Sequence, residues 1–258
     1  MKHSVQAGRH WPTKRGEPCA GGVVAARPEL HQAGGGASPT PALQSLVVQP
    51  IAVLLARKLV ESHHYLHSLP GGTCLAFGVF LDQRLLGALI LGVGPKNAYA
   101  LVAGAAPNDC LVLTRLWLSD ELPRNSESRL LGIVLRSLRK HTQVKFLVSY
   151  ADPAQGHVGT IYQAANWTYT GLSEAVPLYD IGDGKARHSR SLSHAYGTHS
   201  VEYFREQGVK VQFVPQAAKH RYVYFLDSSW QHRLKAPELS YPKPVYELIE
   251  LEEAPNAD

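Results

Sequence analysis

Residues 147–167 read LVSYADPAQGHVGTIYQAANW and predict a strand, a polar loop and a helix in immediate succession. The apolar start of this stretch is typical of a buried strand, and Asp152 followed by Pro153 ends that strand. We expect residues 157–165 to form a short helix, after which residues 167–170 return to a β pattern. Polar side chains therefore collect where a strand ends.

The chain from residue 50 to residue 150 alternates between helical and β patterns. Pro50 suits the first turn of a helix, and Asn125 or Ser126 suits the N-cap of a later one. In chain order, the predicted elements are a helix from Pro50 that ends before Pro70, a hairpin of 74–81 and 85–93, a strand over 110–118, a helix over 127–141 and a strand over 145–150. This order predicts an α/β (α+β) protein.

The later part of the chain changes character and becomes basic. We expect a helix at 200–207 and a pair of strands at 209–214 and 222–226. Residues 191–205 have a weak helix-turn-helix pattern around Gly197. Residues 177–226 therefore predict a basic extension that contacts polyanions.

Composition divides the chain into three parts. Residues 1–45 carry a triple glycine and no sustained apolar period, which predicts a disordered N-terminal arm. Residues 46–228 form the main domain, and residues 229–258 form an extended acidic tail. The stretch 247–258 holds five of the 21 acidic residues, which leaves 16 acidic against 26 basic residues, or +10, for the remainder of the chain.

Several classes of protein are disfavoured by composition. No apolar segment reaches the roughly 18 residues of a membrane span, and the N-terminus does not resemble a secretory signal. We therefore expect no membrane partner and a cytoplasmic location. The three cysteines are far apart and form no CxxC pair, so we expect reduced thiols rather than disulfides or a thiolate zinc site.

Six blocks of sequence keep one order along the chain and resemble the Mom family of phage DNA-modification proteins, a divergent branch of the GNAT acetyltransferase-like superfamily. The blocks are HYLH at 64–67, LTRLWL at 113–118, NSESR at 125–129, SYAD at 149–152, GHVGTIYQA at 156–164 and KHRY at 219–222. The resemblance implies a GNAT-like fold, in which a mixed, splayed central sheet is flanked by helices. It also implies a phage or prophage protein working in a bacterial host.

In function, the resemblance implies conversion of adenine in duplex DNA to N6-carbamoylmethyladenine, which protects the DNA from host restriction enzymes. It implies acetyl-CoA or a related CoA thioester as donor and brings iron into consideration. The donor phosphates would lie at Arg124, Asn125, Ser126 and Ser128, where a helix N-terminus offers free N–H groups. Double-stranded DNA is the expected partner, and the oligomeric state stays open, with a homodimer as one possibility.

The predicted catalytic residues are His64, Tyr65, Asp152 and Tyr162. His64 and Tyr65 end a helix, where they can move protons near neutral pH, or they can simply satisfy carbonyls and pack. Asp152 follows a strand and can act as a base or a metal ligand, although an Asp before a Pro is also a common turn residue. Tyr162 can assist the reaction, including as a base, or it can pack as a core aromatic.

A metal site is weakly indicated. His63 and His67 are four positions apart on one predicted helix, and Asp152 could complete a set with them. The HxxxH pattern alone is common in proteins without metal.

The predicted DNA contacts lie in the basic extension, where the alternative is a solvated basic surface. They are Lys185, Arg187, His188, Arg190, Lys219, His220 and Arg221, with Tyr196, Tyr203, Tyr222 and Tyr224 available for stacking on bases. Two other functions stay open: an ordinary GNAT N-acetyltransferase acting on an amine or peptide, and a non-catalytic DNA-binding protein built on a GNAT scaffold.

Overall fold

The computed structural model of the chain describes residues 46–95 and 97–243. The predicted arm at 1–45 and the end of the acidic tail lie outside these residues. The chain divides into two compact units. The sheet unit comprises residues 46–150, 159–173 and 220–239, and the small unit comprises residues 151–158 and 174–219 with the start of the tail.

In chain order, the elements are β1 (Val47–Pro50), α1 (Val53–His63), β2 (Thr73–Leu81), β3 (Arg84–Gly92), β4 (Cys110–Leu118), α2 (Ser126–His141), β5 (Phe146–Ala151), α3 (Thr160–Ala164), β6 (Thr168–Leu172), β7 (Leu178–Asp180), α4 (Ser189–Tyr196), α5 (Val201–Glu206), β8 (Gln212–Val214) and β9 (His220–Phe225). The predicted hairpin, the strand over 110–118 and the helix over 127–141 are confirmed.

A seven-stranded sheet in the order β1-β2-β3-β4-β5-β9-β6 dominates the sheet unit. The pairs from β1 to β4 are antiparallel, β4 and β5 are parallel, and β6 pairs with β9 antiparallel. The mixed sheet with flanking helices that the sequence predicts is therefore confirmed.

Apolar side chains hold the helices to this sheet. On α1, Ala56 and Val60 are fully buried in a cluster with Ala76, Ala88 and Ile90 of the central hairpin. On α2, one face is buried; it comprises Leu130, Leu131, Val134, Leu135 and Leu138. The helical spacing of these residues is what the sequence pattern indicated.

The small unit contains β7 and β8, which pair antiparallel with Leu178 opposite Val214. It also contains α4 and α5, with Gly197 in the left-handed conformation directly after α4. Phe204 of α5 is buried. The helices expected around Gly197 are present, and their contact with DNA stays a prediction.

The start of one predicted helix and the partner of one predicted strand need correction. The first helix is present as α1, but Pro50 does not open it and instead ends β1, where it lies opposite Phe77 on the outermost strand of the sheet. Proline is tolerated there because an edge strand does not need every N–H. The predicted pair of 209–214 with 222–226 does not form either, because β8 pairs with β7 and β9 pairs with β6.

The predicted boundary at residue 228 also needs correction. Residues 228–233 form a short 3₁₀ turn, and Trp230 and Leu234 pack against a buried cluster of the sheet unit. The N–H of Lys235 donates to the Leu101 carbonyl at 2.9 Å, and that of Leu239 donates to Tyr169 at 2.9 Å. Residues 229–239 are therefore part of the sheet unit rather than a loose tail.

Candidate functional site

The sheet forks between β4 and β5. Their parallel pairing runs from Cys110 opposite Phe146 to Leu113 opposite Ser149. Beyond Leu113, β4 continues to Leu118 paired with β3. The hydroxyl of Ser149, which is fully buried, donates to the Leu113 carbonyl at 3.4 Å and marks the point where the strands part.

Tyr162 of α3 is buried beside this fork. Burial raises the pKa of its phenol to about 12, and a hydrogen bond with Ser149 works in the opposite direction. Its ring centroid lies 5.2 Å from that of Trp167 and 5.3 Å from that of Tyr222. Tyr162 is therefore a neutral phenol around pH 7 and is able to donate a proton or a hydrogen bond. Its part in catalysis stays a prediction.

Gly159 places the helix that carries Tyr162. Its φ is +82°, and a Cβ built on it would lie 2.4 Å from the ring of Tyr222. The Gln163 side-chain amide donates to the Tyr222 hydroxyl at 3.0 Å. The first turn of α3 thus rests directly on a fully buried tyrosine, which a side chain at residue 159 would prevent.

His64 and Tyr65 follow α1 and stack with ring centroids 4.4 Å apart. His64 is 7% exposed and Tyr65 is 41% exposed. Nδ1 of His64 accepts the N–H of Leu66 at 3.1 Å. A neutral imidazole that accepts at Nδ1 carries its proton on Nε2, so His64 offers an N–H donor rather than a basic nitrogen there.

Arg115 of β4 is a site residue to which the sequence analysis gave no role. Its Nε donates to the Ser68 carbonyl at 2.9 Å, and its Nη1 donates to the Thr114 carbonyl at 2.7 Å. Burial lowers the pKa of the guanidinium, and Tyr65 partly offsets this shift. Arg115 therefore ties the segment after His64 and Tyr65 to the forked strand. In the sequence, Arg115 could have been noticed as a charged residue within an otherwise largely apolar predicted strand.

Asp152 lies in the small unit, directly after the last residue of β5 in the chain. Its Oδ1 accepts the N–H of Ala154 at 3.1 Å, which caps the 3₁₀ turn Pro153–Gln155. Its Oδ2 lies 2.9 Å from Nζ of Lys219, and the two side chains are only 12% and 23% exposed. The structure thus joins a residue predicted for catalysis to one predicted for DNA contact.

The residues predicted to hold donor phosphates surround the start of α2. Arg124 is exposed, Ser128 is half-buried, and Asn125 has a left-handed backbone with φ +68°. The predicted side-chain cap is wrong, because Asn125 makes no cap hydrogen bond and the buried Ser126 hydroxyl donates to the Pro123 carbonyl at 2.6 Å. Their contact with phosphate stays a prediction.

Several predicted DNA contacts are already engaged within the protein. Arg187 donates to Asp183 at 2.8 Å, and Lys219 is paired with Asp152. Nε of Arg221 donates to the Thr170 hydroxyl at 2.8 Å, and His220 pairs with the Tyr169 hydroxyl while burial lowers the pKa of its ring.

The other members of this predicted set are more accessible. Lys185 and His188 are exposed. Among the tyrosines expected to stack on bases, Tyr222 is fully buried, whereas Tyr196 is 48% and Tyr203 is 42% exposed. Arg190 lies on α4, and its side chain is outside the description.

The expected iron has no ligand set in the described part of the chain. Among residues 46–95 and 97–243, no group of three His, Cys, Asp or Glu side chains could hold a metal ion. His63 instead stacks on Trp117 with centroids 4.5 Å apart, and Nδ1 of His67 pairs with the Glu61 carbonyl. Over the same residues, no helix has the length and apolar character to cross a membrane.

Comparison with known proteins places the chain in a family. The model of the Mom protein family matches residues 45–243. The methylcarbamoylase Mom of Escherichia phage Mu is 28% identical over 212 residues, which are 78% of this chain and 85% of that protein.

Solved acetyltransferases are similar at lower identity. NAA60 of Arabidopsis thaliana in complex with acetyl-CoA has a TM-score of 0.42 at 8% identity and covers 70% of this chain and 98% of its own. A probable acetyltransferase from Staphylococcus epidermidis has a TM-score of 0.39 at 10% identity, with 70% and 98% covered. Because the family model spans most of the sequence, including the fork and the residues around it, the chain belongs to the Mom protein family.

Proposed function

We propose that this protein is a phage-type DNA-modification enzyme that converts adenine in duplex DNA to an N6-carbamoylmethyl derivative and so protects the DNA from host restriction. The observation that carries the proposal is the buried phenol of Tyr162 together with the buried Ser149, which marks the point where β4 and β5 part. Membership of the Mom family and the likeness to the phage Mu methylcarbamoylase support the same activity.

The chemistry of adenine explains why donors are needed in the site. The exocyclic amino group is a poor nucleophile because its lone pair is delocalised into the ring, so the donor must be activated. The Tyr162 phenol and the Nε2–H of His64 are both hydrogen-bond donors, and both suit a carbonyl or leaving group that gains negative charge. Arg115 fixes the segment that carries His64 to β4.

A CoA thioester is the proposed source of the two-carbon unit. No bond-forming step is assigned to it, because acyl transfer alone would give an N6-acyl rather than an N6-carbamoylmethyl product. The pairing of β4 with β5 ends at Leu113 and Ser149, which is the proposed place for the extended arm of the ligand, and the N-terminus of α2 presents backbone N–H groups beside the exposed Arg124. Asn125, Ser126 and Ser128 would contact the phosphates mainly through this helix start, because the Ser126 hydroxyl already donates to Pro123. No step of the proposal uses iron.

Duplex DNA is the proposed partner, in the cytoplasm of a bacterial host. An amino group stacked inside a duplex is out of reach of a buried phenol, so the target adenine must be flipped out of the helix. Tyr196 and Tyr203 are exposed in the small unit and are the proposed stacking residues.

Nucleoside mass spectrometry tests this function. Plasmid DNA from cells that express the protein is expected to contain an adenosine whose mass has increased by the transferred group. Tyr162→Phe is expected to reduce this product about 100-fold or more. Tyr99→Phe, a half-buried tyrosine packed in a core cluster, serves as the matched control and should retain the product.

Unmodified DNA from folded wild-type protein that binds DNA would contradict the proposal. Acetylation of a small amine by the same preparation would then favour the ordinary N-acetyltransferase.

A further inference from the structure

The outward face of α2 is basic along most of the helix. Arg129, Arg136 and Lys140 are exposed, and their spacing of seven and four residues places them on one face, opposite the buried Leu131 and Val134. No acidic residue occurs between Ser128 and His141. A solvated helix face usually mixes both signs of charge, and this one does not.

Three features that destabilise a helix coincide on this face. Arg129 lies in the first turn, next to the positive end of the helix dipole. Arg136 and Lys140 are a like-charged pair four residues apart. Gly132 lies between Arg129 and Arg136, and a glycine inside a helix is less stabilising than an alanine. An anion bound along the face would offset the two charge effects.

Among residues 46–95 and 97–243, no ion pair supplies a compensating anion on this face. Among the described residues, Arg57 pairs with Glu61 and Arg84 pairs with Glu121, but no ion pair involves Arg129, Arg136 or Lys140. Nη1 of Arg136 lies 3.4 Å from the point that a Cβ on Gly132 would occupy. The guanidinium therefore lies along the helix surface over the glycine.

We propose that Arg129, Arg136 and Lys140 form a basic stripe that binds the phosphate backbone of duplex DNA. The stripe is about 16 Å long at 1.5 Å per residue. Neighbouring phosphates of one DNA strand are roughly 3.4 Å apart along the duplex axis, so the stripe is as long as a run of about five phosphates. The inference rests on the proposed function and assigns its DNA contact to a helix outside the basic extension.

A salt titration of DNA binding tests the stripe. The affinity of the full chain for a 30-base-pair duplex is measured by fluorescence anisotropy at several salt concentrations. For the wild type, log K falls as log salt rises. In the triple variant Arg129→Gln, Arg136→Gln, Lys140→Gln, this slope is expected to become less steep by about 2.7, at about 0.9 per lost phosphate contact. Arg136→Gln alone should lower it by about 0.9.

The matched control removes the same charge elsewhere on the sheet unit. Arg57→Gln, Lys58→Gln and Lys235→Gln neutralise three exposed cations and should leave the slope unchanged. Calorimetry with acetyl-CoA alone distinguishes DNA phosphates from donor phosphates, and the stripe variant should bind it as the wild type does. Thermal unfolding confirms that both triple variants are folded.

An unchanged slope in the stripe variant, or an equal fall in both triple variants, would overturn the proposal. So would a loss of acetyl-CoA binding with the DNA slope intact. Nucleoside mass spectrometry of the wild type keeps the two proposals separate: if no adenosine is modified while the slope responds as expected, the modification activity fails and the DNA-binding stripe stands.

Discussion

The ion pair of Asp152 and Lys219 limits what either side chain can do. One carboxylate oxygen accepts a backbone N–H and the other faces the ammonium at 2.9 Å, so the two side chains act as one unit. In a partly buried pair, removal of one partner leaves the other charge uncompensated. We infer that Lys219 positions Asp152 rather than binding a DNA phosphate.

A double-mutant cycle on adenine modification tests this coupling. Asp152→Asn and Lys219→Gln should each lower the modification rate, and the double variant should be hardly worse than either, with a coupling energy of about 1–2 kcal/mol. Lys219→Arg should restore part of the rate. DNA binding by Lys219→Gln should keep the wild-type salt slope, and a slope lower by about 0.9 would show a phosphate contact instead.

The positions of individual candidate residues in the fold were predictable where one local pattern contains them. His64 and Tyr65 end a recognisable helix, and Tyr162 lies in the helix after the polar loop. Arg115 was given no role, because its partner Ser68 is 47 positions away and meets it only when the sheet is assembled. The pairing of Asp152 with Lys219 was missed for the same reason, since 67 positions separate them.

At the scale of elements, periodicity identified helices and strands but not their partners. The hairpin of β2 and β3 is local, and the apolar stripe of α2 is regular, so both were predicted. Pro50 was predicted to start the first helix because proline suits that position as well as an edge strand. β9 pairs with β6 rather than with β8. This choice depends on tertiary packing, which cannot be read from the spacing of residues in the sequence.

Gly132→Ala tests the helix-scale argument. Its φ is ordinary for a helix, and the nearest atom to a new Cβ is the mobile end of Arg136, so alanine fits without strain. The free energy of unfolding should rise by about 1 kcal/mol, measured by chemical denaturation. If the duplex approaches the helix closely at this point, the same variant should bind DNA more weakly. Greater stability with unchanged DNA affinity would place the duplex farther from the helix.

At the scale of the whole molecule, the buried phenol of Tyr162 links folding to pH. Its pKa is about 12 in the folded protein against an ordinary 10.0, so the folded state holds the proton more tightly than the unfolded state. The proton on this phenol contributes about 3 kcal/mol to the free energy of unfolding. This contribution is fully present below pH 10 and is lost as the pH rises through about 12.

Urea denaturation at a series of alkaline pH values measures this linkage. Tyr162→Phe should flatten the decline in unfolding free energy between pH 10 and about 12, because phenylalanine keeps the ring and removes the titrating group. Tyr99→Phe, the same control as for activity, should leave the decline in place. An equal decline in wild type and Tyr162→Phe would assign the alkaline sensitivity to other groups.

The contact of Gly159 with Tyr222 limits which amino acids residue 159 can accept in a functional protein. At Gly156 the backbone is also left-handed, but a Cβ meets nothing within 4 Å, so asparagine or aspartate could replace it in natural relatives. At residue 159 both the conformation and the tyrosine ring forbid a side chain. In a deep mutational scan, residue 156 should therefore tolerate several amino acids, whereas residue 159 should accept glycine alone unless Tyr222 shrinks in compensation.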